Sequence, residues 1–422
     1  MPSLQSLRNF LFFLFLLFLP NQLGLHFWPT WTYVQGLRID YLSPTFYLSH
    51  LLFFAPLLVF CVSRVTSLSR PHLLKGLPTI CLLILLLVLQ LLTSISPPLS
   101  LYKYSIFLLL FLIFLYISKR ETTPTWIWSG LSLGVFWATL IAVFQFRTQQ
   151  SLGFWILGER DFSILTPGIA KSFIDIPPIG VSIVQGLFLR PYSTFSHPNS
   201  LAGFMLVSMF LLIALRKHLP GAVFVLSILS SVTTVILTGS RTAIIVLIFS
   251  ALYFLVSSLK YKSHKFFLSV LLLIPLASYL FISSNLFSGQ SFSRRLEENK
   301  IAFIMFQNNS LFGVGLGNFI PALGHFIPSA TYSSLSTPTL WLQPVHNIYL
   351  LLASETGAVG VSLFLFLLVR TLVKLRHLNN KPLFFALLAV LLTGFLDHYW
   401  LTLLQNQILF SILLGYIWKA KS

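Results

Sequence analysis

A succession of long apolar runs, separated by short basic connections, constrains this chain more than any other feature. Charged side chains make up only 9% of its 422 residues, whereas a soluble domain carries about 25%. A soluble globular protein, a disordered chain and a fibrous repeat are therefore excluded. The sequence predicts an all-α polytopic membrane protein with about twelve transmembrane helices, at 9–20, 45–63, 76–93, 104–118, 126–146, 199–215, 220–238, 242–258, 266–283, 347–369, 382–396 and 400–418.

The net charge of +18 is distributed in a way that indicates orientation in a membrane rather than nucleic-acid binding. Lysine and arginine cluster on every second short connection, from Arg8 through to Lys421. Because such clusters stay on the cytoplasmic side, we expect both termini in the cytoplasm. The run at 9–20 is short, but no small-residue cleavage site follows it, so we count it as a span that starts before Arg8.

Two long connections, 148–198 and 284–345, fall on the extracytoplasmic side in this topology. Long loops without secondary structure are uncommon and are often functional. We find no internal repeat and no soluble domain, so residues 1–422 form one transmembrane domain. Cys61 and Cys81 both lie inside apolar runs, and they predict neither a disulfide framework nor a metal site.

Three of the predicted spans begin on the outer side with a conspicuous polar segment. One follows Arg190, one opens at Arg241, and one opens at His346. Helix N-termini present unpaired N–H groups that favour phosphate, guanidinium groups fork onto phosphate oxygens, and an imidazole is a base near neutral pH. Alternatively, the two arginines are anchors at the membrane surface and His346 is an interfacial residue. The convergence of all three on one side favours a pyrophosphate site beside a general base.

Several other residues are candidates for supporting roles. Glu355 is the only carboxylate inside a predicted span, and buried membrane acids are often functional; otherwise it hydrogen-bonds or pairs with a neighbouring segment. By helical period Glu355 lies on the face opposite His346. Asn199 is a further candidate, and three others could instead be solvated or interfacial: Arg295, Asp397 and His398.

Two further motifs are weak. The segment Gly313-Val-Gly-Leu-Gly317 lacks the strand, helix and lysine of a nucleotide loop, and we interpret it as a tight turn. The sequence has no Asp-x-Asp, and Glu159-Arg-Asp161 would be a poor metal clamp. Neither a metal nor another cofactor is expected.

Four segments together resemble the O-antigen ligase and polymerase superfamily of bacterial envelope enzymes. They are Arg190 with the following Ser-His-Pro-Asn-Ser-Leu-Ala, Thr238-Gly-Ser-Arg241, Leu311 to Phe319, and His346 to Gly357. Their order and spacing agree over about 190–370, which would be the ligase-like core.

The resemblance implies a helical bundle of the GT-C type and a metal-independent, inverting glycosyltransferase. The donor would be a glycan on polyprenyl pyrophosphate, and the acceptor a hydroxyl of a glycan, a lipid or a protein. Arg190 and Arg241 would match the pyrophosphate-binding arginines, and His346 the histidine that activates the acceptor. The sequence leaves open a non-catalytic flippase for polyprenyl-linked glycans, and an assembly partner of envelope machinery.

Overall fold

The computed structural model describes residues 4–64, 77–119, 125–173, 187–258, 290–326 and 341–419. Within them the chain is mostly helical. The N-terminal half contains α1 (Leu4–Leu17), α2 (Leu48–Arg64), α3 (Leu77–Leu92), α4 (Pro97–Ser118) and α5 (Ser129–Thr148). The rest contains α6 (Pro198–Ala214), α7 (Gly221–Leu237), α8 (Arg241–Ser258), α9 (Gln290–Asn308), α10 (Phe319–Phe326), α11 (Ile348–Leu378), α12 (Lys381–Gly394), α13 (Tyr399–Thr402) and α14 (Leu404–Lys419).

Helices coincide with eleven of the twelve apolar runs, and the ninth run, 266–283, lies outside the described residues. Among the described residues, three helices are long and apolar enough to cross a membrane: Pro97–Ser118, Trp126–Thr148 and Ile348–Leu378. Six further apolar helices have 10–17 residues. A helical membrane protein is thus confirmed, whereas twelve crossings, the GT-C fold and the positions of the termini stay predictions.

The helix boundaries follow from local sequence. Asn347 caps α11, since its side-chain oxygen accepts hydrogen bonds from the N–H groups of Tyr349 (2.9 Å) and Leu350 (3.1 Å). His197 caps α6 in the same way, and Pro198 occupies the first turn, where a missing N–H costs nothing.

The core is organised around α6, which is buried along almost its whole length. It packs against α7, α12 and α14. Gly203 of α6 lets the helix approach α13 closely, because a Cβ there would lie 2.4 Å from the Tyr399 hydroxyl. This approach fixes the segment that carries Asp397 and His398 next to the start of α6.

Short strands form three two-stranded antiparallel sheets outside the helices. β1 (Gly24–His26) pairs with β4 (Thr45–Tyr47), β2 (Tyr33–Val34) with β3 (Leu37–Arg38), and β5 (Lys171–Phe173) with β6 (Leu187–Leu189). The first two sheets fold the connection between α1 and α2 into a compact structure. The sequence did not predict that structure, and it covers part of the site.

The predicted long loops also contain regular structure. The connection 284–345 includes α9 and α10, so its described part is not a featureless loop. In 148–198, Glu159 is buried, and its carboxylate accepts hydrogen bonds from Gln145 and from the N–H groups of Leu152 and Phe154. The Glu159 carboxylate therefore stabilises the fold of its own loop.

Candidate active site

Three helix starts converge, as the sequence predicts for the segments around Arg190, Arg241 and His346. Arg190 follows β6, and its Nε donates to the Thr238 carbonyl (2.5 Å) immediately before α8. Its Nη2 donates to the Asn199 side-chain oxygen (2.6 Å) in the first turn of α6. One guanidinium thus connects the starts of α6 and α8.

A continuous set of contacts leads from Arg190 to His346. The Asn199 amide donates to the Asp397 carboxylate (2.9 Å). The other oxygen of Asp397 accepts from the backbone N–H of His398 (2.9 Å). The His398 ring lies edge to face with the His346 ring, with centroids 5.2 Å apart. Asp397 and His398 are buried and make contacts within this cluster.

His346 is oriented by a residue that the sequence analysis missed. The Nδ1 atom of His346 lies 2.8 Å from Glu298 Oε2, and the Glu298 side chain is only 2% exposed. A carboxylate oxygen accepts hydrogen bonds, so this contact favours the imidazole tautomer that carries its proton on Nδ1. The Nε2 atom keeps its lone pair and can accept a proton.

Glu298 is in turn held by its own helix and by the segment before α11. Arg294 Nε lies 3.6 Å from the other carboxylate oxygen, one helical turn earlier. The Gln343 amide donates to that same oxygen (3.4 Å). The Arg294–Glu298 spacing of four residues was the one signal in the sequence that could have revealed this helix and its buried acid.

A third guanidinium lies close to the first two. Arg295 of α9 donates from Nη1 to the Leu396 carbonyl (3.3 Å), and its buried Nε has no partner among the described residues. Burial lowers the pKa of Arg190 to about 10, and the positive charges of Arg241 and Arg295 contribute to that shift. The three arginines therefore form a cationic cluster that lacks a matching number of acids.

The buried acid and histidines have strongly displaced pKa values. Burial by itself would raise the pKa of Asp397, but His398, His346, His197 and Arg295 lower it to about 2. Burial lowers the pKa of His398 and of His197 to about 3, against the attraction of Asp397. Asp397 is consequently ionised and both His398 and His197 are neutral near pH 7.

Glu355 has a different environment. Its carboxylate accepts hydrogen bonds from the N–H groups of Gly317 (2.8 Å) and Phe319 (3.2 Å). The glycine segment thus wraps around Glu355, as the interpretation of a tight turn and a hydrogen-bonded acid predicts. At Gly313 φ is +71° and a Cβ would lie 2.3 Å from the Glu355 backbone, so only glycine fits there. Glu355 fixes the segment beneath the site rather than contacting the His346 ring.

This segment also explains the bend of α11. Gly357 interrupts the helix with φ +61° and ψ −164°. The freed backbone groups are partnered by the preceding loop, since Ala358 N–H donates to Ser310 O (2.7 Å) and Val359 N–H to Leu311 O (3.2 Å). The outer part of α11 is thereby held at a defined angle, and its first turn presents His346.

The fold and the cluster define a class of protein: a helical membrane protein with a buried polar site where several helices begin. The sequence model of the O-antigen ligase family matches residues 222–365, about a third of the chain. The match confirms the resemblance to that superfamily and supports an O-antigen ligase-type membrane enzyme.

The matched segment includes Arg241, Arg295, Glu298 and His346, whereas other members of the cluster lie outside it. A search of curated proteins finds no match to this chain. Within the described part of the chain, no group of three or more His, Cys, Asp or Glu side chains is arranged to hold a metal ion.

Proposed function

We propose that this protein transfers a glycan from polyprenyl pyrophosphate to an acceptor hydroxyl on the extracytoplasmic side of a bacterial inner membrane. The observation that carries this proposal is the contact between His346 and Glu298, placed at the end of a polar chain that begins at Arg190. Displacement of pyrophosphate by a hydroxyl needs a base and a group of cations. Here His346 is the base, acting through Nε2, and the three arginines are the cations.

The arginines would bind the donor. Arg190, Arg241 and Arg295 together can pair with the charges of a pyrophosphate, and guanidinium groups match its oxygens. As the bond between the sugar C1 and the phosphate oxygen breaks, negative charge accumulates on the leaving pyrophosphate. Preorganised cations stabilise that charge.

His346 would act on the acceptor. Its Nε2 takes the proton of the acceptor hydroxyl while the hydroxyl oxygen attacks C1 from the face opposite the leaving group. The configuration at C1 is therefore inverted. The imidazolium that forms is stabilised by Glu298, in the way that a buried carboxylate supports a catalytic histidine.

Asp397 and Asn199 are positioning residues in this mechanism. Asp397 binds Asn199, which in turn holds Arg190. The ionised carboxylate thus fixes the geometry of the arginine and limits the net positive charge of the site. His398 is neutral and separates the carboxylate from His346.

An assay in vitro tests the proposal. Purified protein would be mixed with a polyprenyl-pyrophosphate glycan and a panel of glycan, lipid and peptide acceptors, with EDTA present. We expect product from the wild type and none from His346→Ala, whereas Arg190→Ala and Arg241→Ala should bind the donor more weakly. Full activity of all three variants would contradict the proposal. Movement of labelled lipid across liposomes without any product would instead identify a flippase.

A further inference from the structure

A cavity of about 230 Å³ lies next to the candidate active site. Two of its lining residues contact His398: the Tyr41 ring lies edge to face with the imidazole at 5.4 Å, and Thr402 Oγ1 is 2.7 Å from its Nδ1. The cavity also reaches Pro344, two residues before His346. The cavity therefore lies next to His346.

The cavity wall combines aromatic rings with hydrogen-bonding groups. Tyr41, Tyr47 and Tyr102 provide the rings. The charged lining residues comprise two acids and two bases, Asp40, Glu355, Lys103 and Arg160. Such a lining has equal numbers of acidic and basic residues and presents both donors and acceptors, which suits a polyhydroxylated ligand.

Two residues of this wall each carry a buried polar atom without a hydrogen-bond partner among the described residues. Gln22 Oε1 and Ser196 Oγ are both buried, and neither makes a hydrogen bond to any residue that the structure describes. Buried polar side-chain atoms are nearly always hydrogen-bonded. Both residues belong to a wall that also contains Ser43, Thr402 and Gln407, and a wall with several polar side chains suits a polar occupant.

We propose that this cavity binds one sugar residue of the acceptor glycan; the inference rests on the proposed transferase function. The volume is below the roughly 300–1,000 Å³ of pockets for drug-sized ligands, so the cavity accommodates a single small unit. Among the contacts that lead from Arg190 to His346, Asn199 binds the arginine. The cavity lies at the other end, where its lining residues Tyr41 and Thr402 contact His398. The donor pyrophosphate and the cavity occupant thus lie on different sides of the histidines, as donor and acceptor must.

The wall of the cavity also indicates where acceptor specificity is encoded. Most of its residues lie outside the segment 222–365 that matches the family. They come from 22–47 with its two small sheets, from α4, from Arg160 and Ser196, and from 401–407. The choice of acceptor sugar is therefore set by the parts of the chain that the family match does not include.

Saturation-transfer NMR on the full-length protein in nanodiscs tests this inference. The probes are methyl glycosides of a hexose, an N-acetylhexosamine, a 6-deoxyhexose and a heptose. Gln22→Met and Ser196→Ala each remove one polar group from a residue of the cavity wall and should weaken binding about five-fold. The matched control is Ser208→Ala, since Ser208 Oγ is also buried and unpartnered but lies in α6 away from the cavity. Ile106→Trp fills the cavity and should abolish the signal.

The same variants in the transfer assay separate the two proposals. We expect Gln22→Met and Ser196→Ala to raise KM for the acceptor about five-fold and to leave kcat and KM for the donor unchanged. Full transfer by Ile106→Trp would overturn the cavity inference and leave the transferase intact. Equal losses in Ser196→Ala and Ser208→Ala would also overturn it. Cavity-dependent binding of a glycoside, with no acceptor ever glycosylated, would support the sugar site and refute the transferase.

Discussion

The replacement Glu298→Gln should inactivate the protein while leaving it folded. Glutamine has nearly the same shape, so the change removes a charge and alters which atoms can donate. One Glu298 oxygen faces two donors, Arg294 and the Gln343 amide, and the other faces His346. In the variant the amide oxygen belongs on the side of the two donors, so the NH₂ group turns towards His346.

This orientation reverses the tautomer of the histidine. An NH₂ group can only donate, so His346 Nδ1 must become an acceptor and the ring proton moves to Nε2. The ring can then no longer take the proton of an acceptor hydroxyl. Since a positioned general base contributes about 10²–10⁴-fold to a rate, kcat should fall by about that factor. KM for the donor should stay the same, because Glu298 does not belong to the arginine cluster.

Glu297→Gln is the matched control. Glu297 is on the same helix, but its side chain is 52% exposed and pairs with Lys300 at 2.9 Å. Exposed pairs of this kind contribute about 0–1 kcal/mol, so we expect unchanged kinetics. Single-turnover rates with donor already bound, together with size-exclusion profiles, measure both effects.

A double-mutant cycle tests whether Glu298 has a purely structural role. If Glu298 acts only through His346, adding Glu298→Gln to His346→Ala should cost no further activity, since residues that act as a unit are strongly non-additive. A folded Glu298→Gln protein with a kcat within about three-fold of the wild type would refute the reasoning, because the general-base effect is about 10² or more.

Three further predictions follow from the surrounding structure. Arg190→Lys should raise KM for the donor at least about ten-fold, because an ammonium cannot replace the forked contacts to Thr238 and Asn199; an unchanged KM would contradict donor binding by the arginines. Since the folded pKa of His398 is about 3, below the unfolded value near 6.5, stability falls as pH drops below about 6.5. Between pH 6.5 and 5.5 this histidine should cost about 1 kcal/mol, and His398→Gln should flatten the pH dependence of Tm; an equal slope would contradict this. Gly313→Ala should cost about 1–3 kcal/mol through backbone strain, visible as a lower Tm, whereas Gly324→Ala, where a Cβ meets open space, should cost nothing.

Sequence patterns predicted the helices well, because apolar runs and local caps such as Asn347 and Pro198 fix where helices form. The two small sheets within 24–47 could not be predicted, since their strands contain only two or three residues. Such strands are fixed by contacts with distant parts of the chain rather than by a local pattern.

The candidate site was predicted in part. Arg190, Asn199, Asp397 and His346 were selected from helix starts and charge, and the fold brings them into one cluster. Glu298 was missed because α9 is polar and lies in a stretch that was interpreted as loop. A buried acid on an otherwise charged helix cannot be told from an exposed one until the packing is known.

In the proposed reaction, His346 deprotonates an acceptor hydroxyl while pyrophosphate departs. The most direct test compares product formation in a single turnover by the wild type and by His346→Ala, with polyprenyl-pyrophosphate glycan bound to both and EDTA present. We predict that the wild type forms a glycosylated acceptor of inverted configuration, whereas the variant binds the same amount of donor without forming product. Product at the wild-type rate from His346→Ala, or retained configuration in the product, would contradict the account.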